Sequence, residues 1–128
     1  MIYLLDTHIL LWLSLRPDKL SVGARAIIDD PTNGLMFSSA AMWEVAIKFG
    51  LDRDDFTVDP RVLRRGLIDN GYTELVVDGT HAGEVVSLPM HHSDPFDRMQ
   101  IAQARVEGLV LVTADPQVAR YGSPVQLV

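Results

Sequence analysis

Apolar positions along this chain come in two patterns, short unbroken runs and helical stripes, and the two alternate. Ile2 to Leu5 is an apolar run of strand length that stops at Asp6, and the apolar stretch from about Ile9 to Leu15 reads as a helix. Ser21 stands where it caps a second helix carrying Ala24, Ile27 and Ile28, and Asp30-Pro31-Thr32-Asn33-Gly34 forces a turn. Leu35 to Ser38 is a second strand, after which Ser39 caps a third helix running to about Phe49, with Gly50 as its stop. Pro60 opens a helix that reaches about Asn70 and ends at Gly71. Glu74 to Val77 gives a third strand, Thr80 to Ser87 is weakly helical, and Pro95 to Glu107 is strongly helical up to Gly108. Leu109 to Val112 is the fourth strand and Val125 to Val128 a short fifth. Unbroken apolar strands separated by helices predict an α/β fold, a parallel sheet covered on both faces.

The chain has 128 residues, 48% of them hydrophobic, which is enough for one core and too little for two ordinary domains. One domain over residues 1–128 is therefore expected, with no repeat, low-complexity tract or linker. Cysteine is absent, which excludes disulfides, thiolate nucleophiles and cysteine-held zinc or iron–sulfur sites and fits a cytoplasmic protein. The early apolar run Ile9 to Leu13 follows Asp6 and His8, not a basic stretch, and soon meets Arg16, so neither a signal peptide nor a membrane span is expected. A formal net charge of −6 argues against coating nucleic acid by charge alone, although an RNA substrate stays compatible with it. Four of the eleven basic residues fall between Arg53 and Arg65, where Arg61, Arg64 and Arg65 share part of a helix surface, either a solvated face or a phosphate-tracking patch.

Four acids change the picture. In a parallel sheet, ligands gather outside the carboxyl ends of the strands. Asp6 directly follows the first strand, and Asp115 lies three residues past the fourth. Glu44 shares a helical stripe with Ala40, Ile47 and Leu51, and Asp97 heads one with Ile101 and Ala104, so both point inward. An inward carboxylate calls for a cation, a hydrogen-bond network or a raised pKa. Each acid also has a plain structural reading. Asp6 can cap the first helix, and Glu44 can pair with Lys48. Asp94-Pro95-Phe96-Asp97 fits a helix start in which Asp97 only complements the dipole, and Asp115 before Pro116 suits a turn or cap. Those four readings leave unexplained why all four acids land near one sheet edge. Carboxylates from four distant segments suit a hard divalent cation, and with it metal-dependent phosphoryl chemistry.

Four segments together carry a resemblance: Leu4-Leu5-Asp6-Thr7-His8-Ile9-Leu10-Leu11-Trp12, Ser38-Ser39-Ala40-Ala41-Met42-Trp43-Glu44-Val45-Ala46-Ile47-Lys48, His91 to Ala104 with Asp94-Pro95-Phe96-Asp97-Arg98 at its centre, and Leu111-Val112-Thr113-Ala114-Asp115. In this order and spacing the chain resembles a PIN-domain protein of the VapC toxin type over nearly its whole length. The resemblance implies a PIN-like three-layer α/β/α sandwich around a parallel sheet of about five strands, and a homodimer. It implies the toxin of a type II toxin–antitoxin pair, a ribonuclease using Mg²⁺ or Mn²⁺ and silenced by a small VapB-like antitoxin. Carried over by position, Asp6, Glu44 and Asp97 match the family's metal-binding acids, Asp115 the more variable fourth, and Thr113 a supporting hydroxyl. A water made acidic by the cation would attack phosphorus in line, leaving 5′-phosphate and 3′-hydroxyl ends. The RNA, whether transfer, ribosomal or messenger, is not legible.

Lesser candidates surround these. His91 and His92 can touch RNA or support the site, Arg98 can bind phosphate or pair with Asp94, and Ser39 can cap its helix or orient Glu44. Trp12, Trp43 and Phe49 suit core or dimer contacts, with part of that surface open to an antitoxin helix, and Asp78 after the third strand is a further acid at the correct edge. Competing classes fail on residues. A haloacid-dehalogenase-type phosphatase needs an acid where His8 stands, a receiver domain needs a late lysine where none follows Lys48, and no glycine-rich phosphate loop is present. A PIN-like protein that binds RNA or a partner without cutting is the non-enzymatic alternative.

Overall fold

The computed structural model describes residues 1–52 and 54–128; Arg53, first of the basic cluster, lies outside them. Among the described residues five strands form one parallel sheet: β1 (Ile2–Leu5), β2 (Gly34–Ser38), β3 (Thr73–Leu75), β4 (Val110–Thr113) and β5 (Val125–Leu127). Their order is β3-β2-β1-β4-β5, with Leu4 beside Met36 on one flank and Leu111 on the other.

Among the described residues seven α-helices cover the two faces: α1 (Thr7–Leu15), α2 (Val22–Asp29), α3 (Ser39–Gly50), α4 (Pro60–Asp69), α5 (Gly79–Glu84), α6 (Pro95–Glu107) and α7 (Pro116–Ala119). Successive strand side chains point to opposite faces, which divides the core in two. Tyr3, Leu5, Phe37 and Val112 pack with residues of α1 to α4, whereas Leu4 and Leu111 pack with Ile101, Ala104 and Val118 of α6 and α7. The arrangement is the expected α/β/α sandwich.

Each of these seven α-helices begins on an Asp or Ser whose side chain accepts a backbone N–H: Asp6, Ser21, Ser38, Asp59, Asp78, Asp94 and Asp115. Several sequence expectations are corrected by these starts. Ser38, not Ser39, caps α3, accepting from Ala40 N at 3.0 Å; Ser39 is the first helical residue, and its hydroxyl accepts Val77 N at 3.0 Å. That bond takes the Val77 amide out of the ladder, so β3 stops at Leu75, opposite Ser38. Asp6 caps α1 directly, and the helix starts at Thr7, two residues earlier than its apolar stripe. β4 runs one residue later than expected, placing Thr113 inside the strand and Asp115 two residues beyond it. At four residues, α7 is too short to carry a periodic signal. Gly108 ends α6 in the left-handed region at φ 68°, and its N–H returns to Ala104 O.

Candidate metal centre

Between β1 and β4 the strand order reverses, and the crevice outside their carboxyl ends is where open parallel sheets take ligands. Asp6 emerges from β1 into that crevice and is 3% exposed. Its amide donates to Val112 O of the neighbouring strand at 3.0 Å. Its Oδ1 accepts Ile9 N at 3.0 Å, and its Oδ2 accepts the Thr113 hydroxyl. Thr113 Oγ1 in turn accepts the Asp115 amide at 3.0 Å. One chain of hydrogen bonds thus joins the ends of both strands and fixes Asp6 in orientation. Burial pushes the Asp6 carboxyl above the ordinary range, overriding the bonds from Thr113 and Ile9 that favour its charge.

Glu44 reaches the same region from α3 and is 7% exposed. The pair with Lys48 exists at 3.4 Å, but it occupies Oε2 alone; Oε1 is buried without a hydrogen-bond partner. The expected inward stripe is real only in its first half. Ala40 and Glu44 are buried, whereas Ile47 and Leu51 are exposed, because no residue of α3 beyond Val45 is buried.

Asp97 sits in the first turn of α6, where its amide and that of Phe96 donate to Asp94 Oδ1. Asp94 is thereby the cap, and it starts the helix that carries Asp97. Burial pushes the Asp97 carboxyl up to about 6, with the Asp94 charge adding to the shift and a hydrogen bond from His92 opposing it. Asp6 and Glu44 raise Asp97 further, and Glu44 raises Asp6, so these three acids share one field. Asp115 contributes to neither shift. Its Oδ1 caps α7 through Gln117 N at 2.9 Å, and it joins the cluster through its amide and Thr113.

The remaining candidates separate. His92 Nε2 lies 3.1 Å from Asp97 Oδ2 and its Nδ1 lies 2.9 Å from the Tyr121 hydroxyl. His91 packs edge-on against Tyr121, with ring centres 4.9 Å apart. Arg98 neither pairs with Asp94 nor faces solvent: it is buried, donating to Pro89 O, Val85 O and the Tyr121 hydroxyl. Asp78 caps α5 in a capping box with His81. Arg61 and Arg64 are exposed on α4 and paired with Asp59 and Glu74, so part of their charge is balanced locally. Ser39 bonds Val77, so it does not orient Glu44. Tyr121 escaped the sequence reading because a lone tyrosine before Gly122 has no periodicity to mark it.

As the side chains stand, no three His, Asp or Glu among the described residues lie close enough together to enclose an ion. Mg²⁺ does not need that, since it keeps several waters and takes one or two protein carboxylates directly. The buried unpaired Glu44 Oε1 and the upward-shifted Asp6 and Asp97 fit a site completed by a hard cation.

The family model described as PIN domain matches residues 3–124. The chain belongs to the PIN-domain family. No curated protein matches it in sequence. Among solved structures, this PIN domain is similar to VapBC2 from Rickettsia felis, bound to a DNA fragment from its promoter, with TM-score 0.73 and 16% identity over 100% of this chain and 98% of that one. It is similar to a toxin–antitoxin complex from Klebsiella pneumoniae, with TM-score 0.64 and 19% identity over 97% and 95%. VapBC-1 from nontypeable Haemophilus influenzae gives TM-score 0.65 and 18% identity over 100% and 97%. At these identities the likeness is one of fold. In this PIN domain the family fold brings Asp6, Glu44 and Asp97 toward one crevice from β1, α3 and α6.

Proposed function

We propose that this PIN domain is a divalent-metal-dependent endoribonuclease and the toxin of a type II toxin–antitoxin pair, with residues 1–128 forming a single domain. The observation that carries the nuclease reading is the buried Glu44 carboxylate, one oxygen unpaired, in the shared field of Asp6 and Asp97 at the sheet's switch point. Asp6, Glu44 and Asp97 would hold Mg²⁺, with Mn²⁺ able to substitute, and Asp115 would take an outer position. When bound, such a cation polarises a phosphodiester and acidifies a nearby water. Thr113 aims Asp6, Asp94 fixes the first turn that carries Asp97, and Lys48 balances part of the Glu44 charge. In-line attack by water, without the ribose 2′-hydroxyl, leaves 5′-phosphate and 3′-hydroxyl ends.

The partner reading rests on fold likeness to VapBC complexes and on surface character. A groove of about 740 Å³ between α1 and α4 is lined by Leu10, Leu13, Val62, Leu63, Leu67 and Tyr72, which suits the apolar face of a VapB-like antitoxin helix. Trp43, at 65% exposure, and Ile47 on α3, with Leu51 just past its end, form an open apolar strip that suits a homodimer contact. Among the described residues no helix is long and apolar enough to cross a membrane, and a cytoplasmic site of action completes the proposal. The test is cleavage of total RNA with Mg²⁺ or Mn²⁺ against EDTA, beside an identically prepared Asp6→Asn protein. Discrete metal-dependent cuts lost in the variant support the nuclease; metal-bound wild type that never cuts leaves the binding-only reading, and equal cutting by the variant sinks the site.

A further inference from the structure

Arg98 is 8% exposed and its guanidinium has only hydrogens to give. Nη1 donates to Pro89 O at 2.9 Å and to the Tyr121 hydroxyl at 3.0 Å, and Nη2 donates to Val85 O at 3.3 Å. Two backbone carbonyls thus hold the guanidinium in place, and the phenol oxygen accepts from it. Tyr121 then has one hydrogen left to donate. Both acceptors in reach belong to His92: ring Nδ1 at 2.9 Å and the backbone carbonyl at 3.3 Å. The ring nitrogen is the closer, and accepting there requires that Nδ1 carry no hydrogen. A neutral His92 must then carry its hydrogen on Nε2, which faces Asp97 Oδ2 at 3.1 Å.

We propose that Tyr121, held by buried Arg98, is a positioning residue that fixes the tautomer of His92 and through it the orientation of Asp97 in the acidic crevice. This rests on the reading of Asp97 as a site carboxylate. The chain runs one way, Arg98 to Tyr121 to His92 to Asp97, and it joins three segments: the loop before α6, the first turn of α6 and the residues after α7. Tyr121 also braces the imidazole by ring contact, with centroids 5.3 Å apart. Asp97 Oδ2 is committed to His92, while no hydrogen bond among the described residues uses Oδ1, which stays free for a ligand. Outer hydrogen-bond partners of this kind change metal affinity or activity by about 10–100-fold when removed.

Tyr121→Phe keeps the ring and deletes the hydroxyl. Two readouts follow it: the His92 tautomer from long-range nitrogen–proton NMR of histidine-labelled protein at a pH of about 8, and the Mg²⁺ concentration giving half-maximal RNA cleavage. The wild type is expected to carry hydrogen on Nε2. The variant, with its thermal unfolding checked alongside, is expected to mix tautomers and to need about 10-fold more Mg²⁺. Hydrogen on Nδ1 of His92 in the wild type overturns the proposal without any variant, so a misfolded Tyr121→Phe protein cannot shelter it. A folded variant with unchanged tautomer and unchanged Mg²⁺ midpoint overturns it as well. Wild type that shows the expected tautomer yet neither binds Mg²⁺ nor cleaves would refute the site reading, and with it the role given to the relay.

Discussion

Glu44 has one oxygen in an ion pair and the other buried without a partner, and Asp6 is more deeply buried still. Burial of Asp6 opposes stability in the metal-free protein, because its ionised carboxylate has left water and the bonds from Thr113 and Ile9 compensate only in part. Asp6→Asn removes a charge that burial disfavours while keeping one oxygen to accept from Ile9 or Thr113. The variant is expected to unfold in EDTA at a temperature equal to or above that of the wild type, and to lose RNA cleavage by about 100-fold or more. Thermal scans beside cleavage assays decide it. A markedly lower unfolding temperature would mean that the carboxylate's two hydrogen bonds outweigh its burial, and that Asp6 is chiefly a helix cap. The cap formed by Asp6 was readable in sequence, as was its place at the sheet edge where a ligand is proposed, since both need the same residue type at the same position. The short path Asp115 N–H to Thr113 to Asp6 was not, because it depends on Thr113 lying inside β4.

α6 is the element on which most of the crevice depends. Its start is fixed by Asp94 and its end by Gly108, and both were legible because a proline at the first position and a glycine past the end are local signals. What local signals could not show is how the helix is tied down. Arg98, one residue after the site acid, looks like a phosphate ligand in sequence, yet its guanidinium is spent on Val85 O, Pro89 O and Tyr121. Those acceptors lie 9 to 23 residues away along the chain, beyond any periodicity. Arg98→Met fills much of the volume but strands two carbonyls, and a loss of about 2–3 kcal/mol is expected in urea unfolding. A loss near zero would return Arg98 to the solvent-facing role that its sequence suggests. Gly108→Ala should cost about 1 kcal/mol, since a side chain at φ 68° is strained and no neighbour lies within 4 Å of the added carbon to compensate. The β3 boundary failed for the same non-local reason: Ser39 captured the Val77 amide across 38 residues.

For the whole molecule, a net charge of −6 and three buried or half-buried acids sharing one field would link proton binding to the proposed metal binding. In the metal-free protein Asp97 holds its proton up to about 6, against an unperturbed value of 3.8. Between those values the folded state binds a proton that the unfolded chain has released, so stability falls as pH rises from about 4 to 6. Asp6, also shifted upward by burial, acts in the same direction. The surface acids Asp18, Asp30 and Asp59 are shifted the other way by hydrogen bonds from Arg16, Thr32 and Arg61. Their contribution is lost only below the ordinary carboxylate range, so it does not oppose the fall expected from Asp97 between about pH 4 and 6. In the proposed site Mg²⁺ would offset this fall, because it would bind the deprotonated acids and compete with their protons. At 100 times its dissociation constant the ion should add about 2.7 kcal/mol at neutral pH, and this gain should vanish as pH drops through 6. Thermal unfolding at pH 4.5 and 7.5, with Mg²⁺ and with EDTA, gives four values that test the linkage. Curves that coincide at pH 4.5 and separate at pH 7.5 support placing the titrating acids in the metal site, whereas a gain of equal size at both pH values would mean that the cation binds elsewhere and that Asp97 titrates for structural reasons alone.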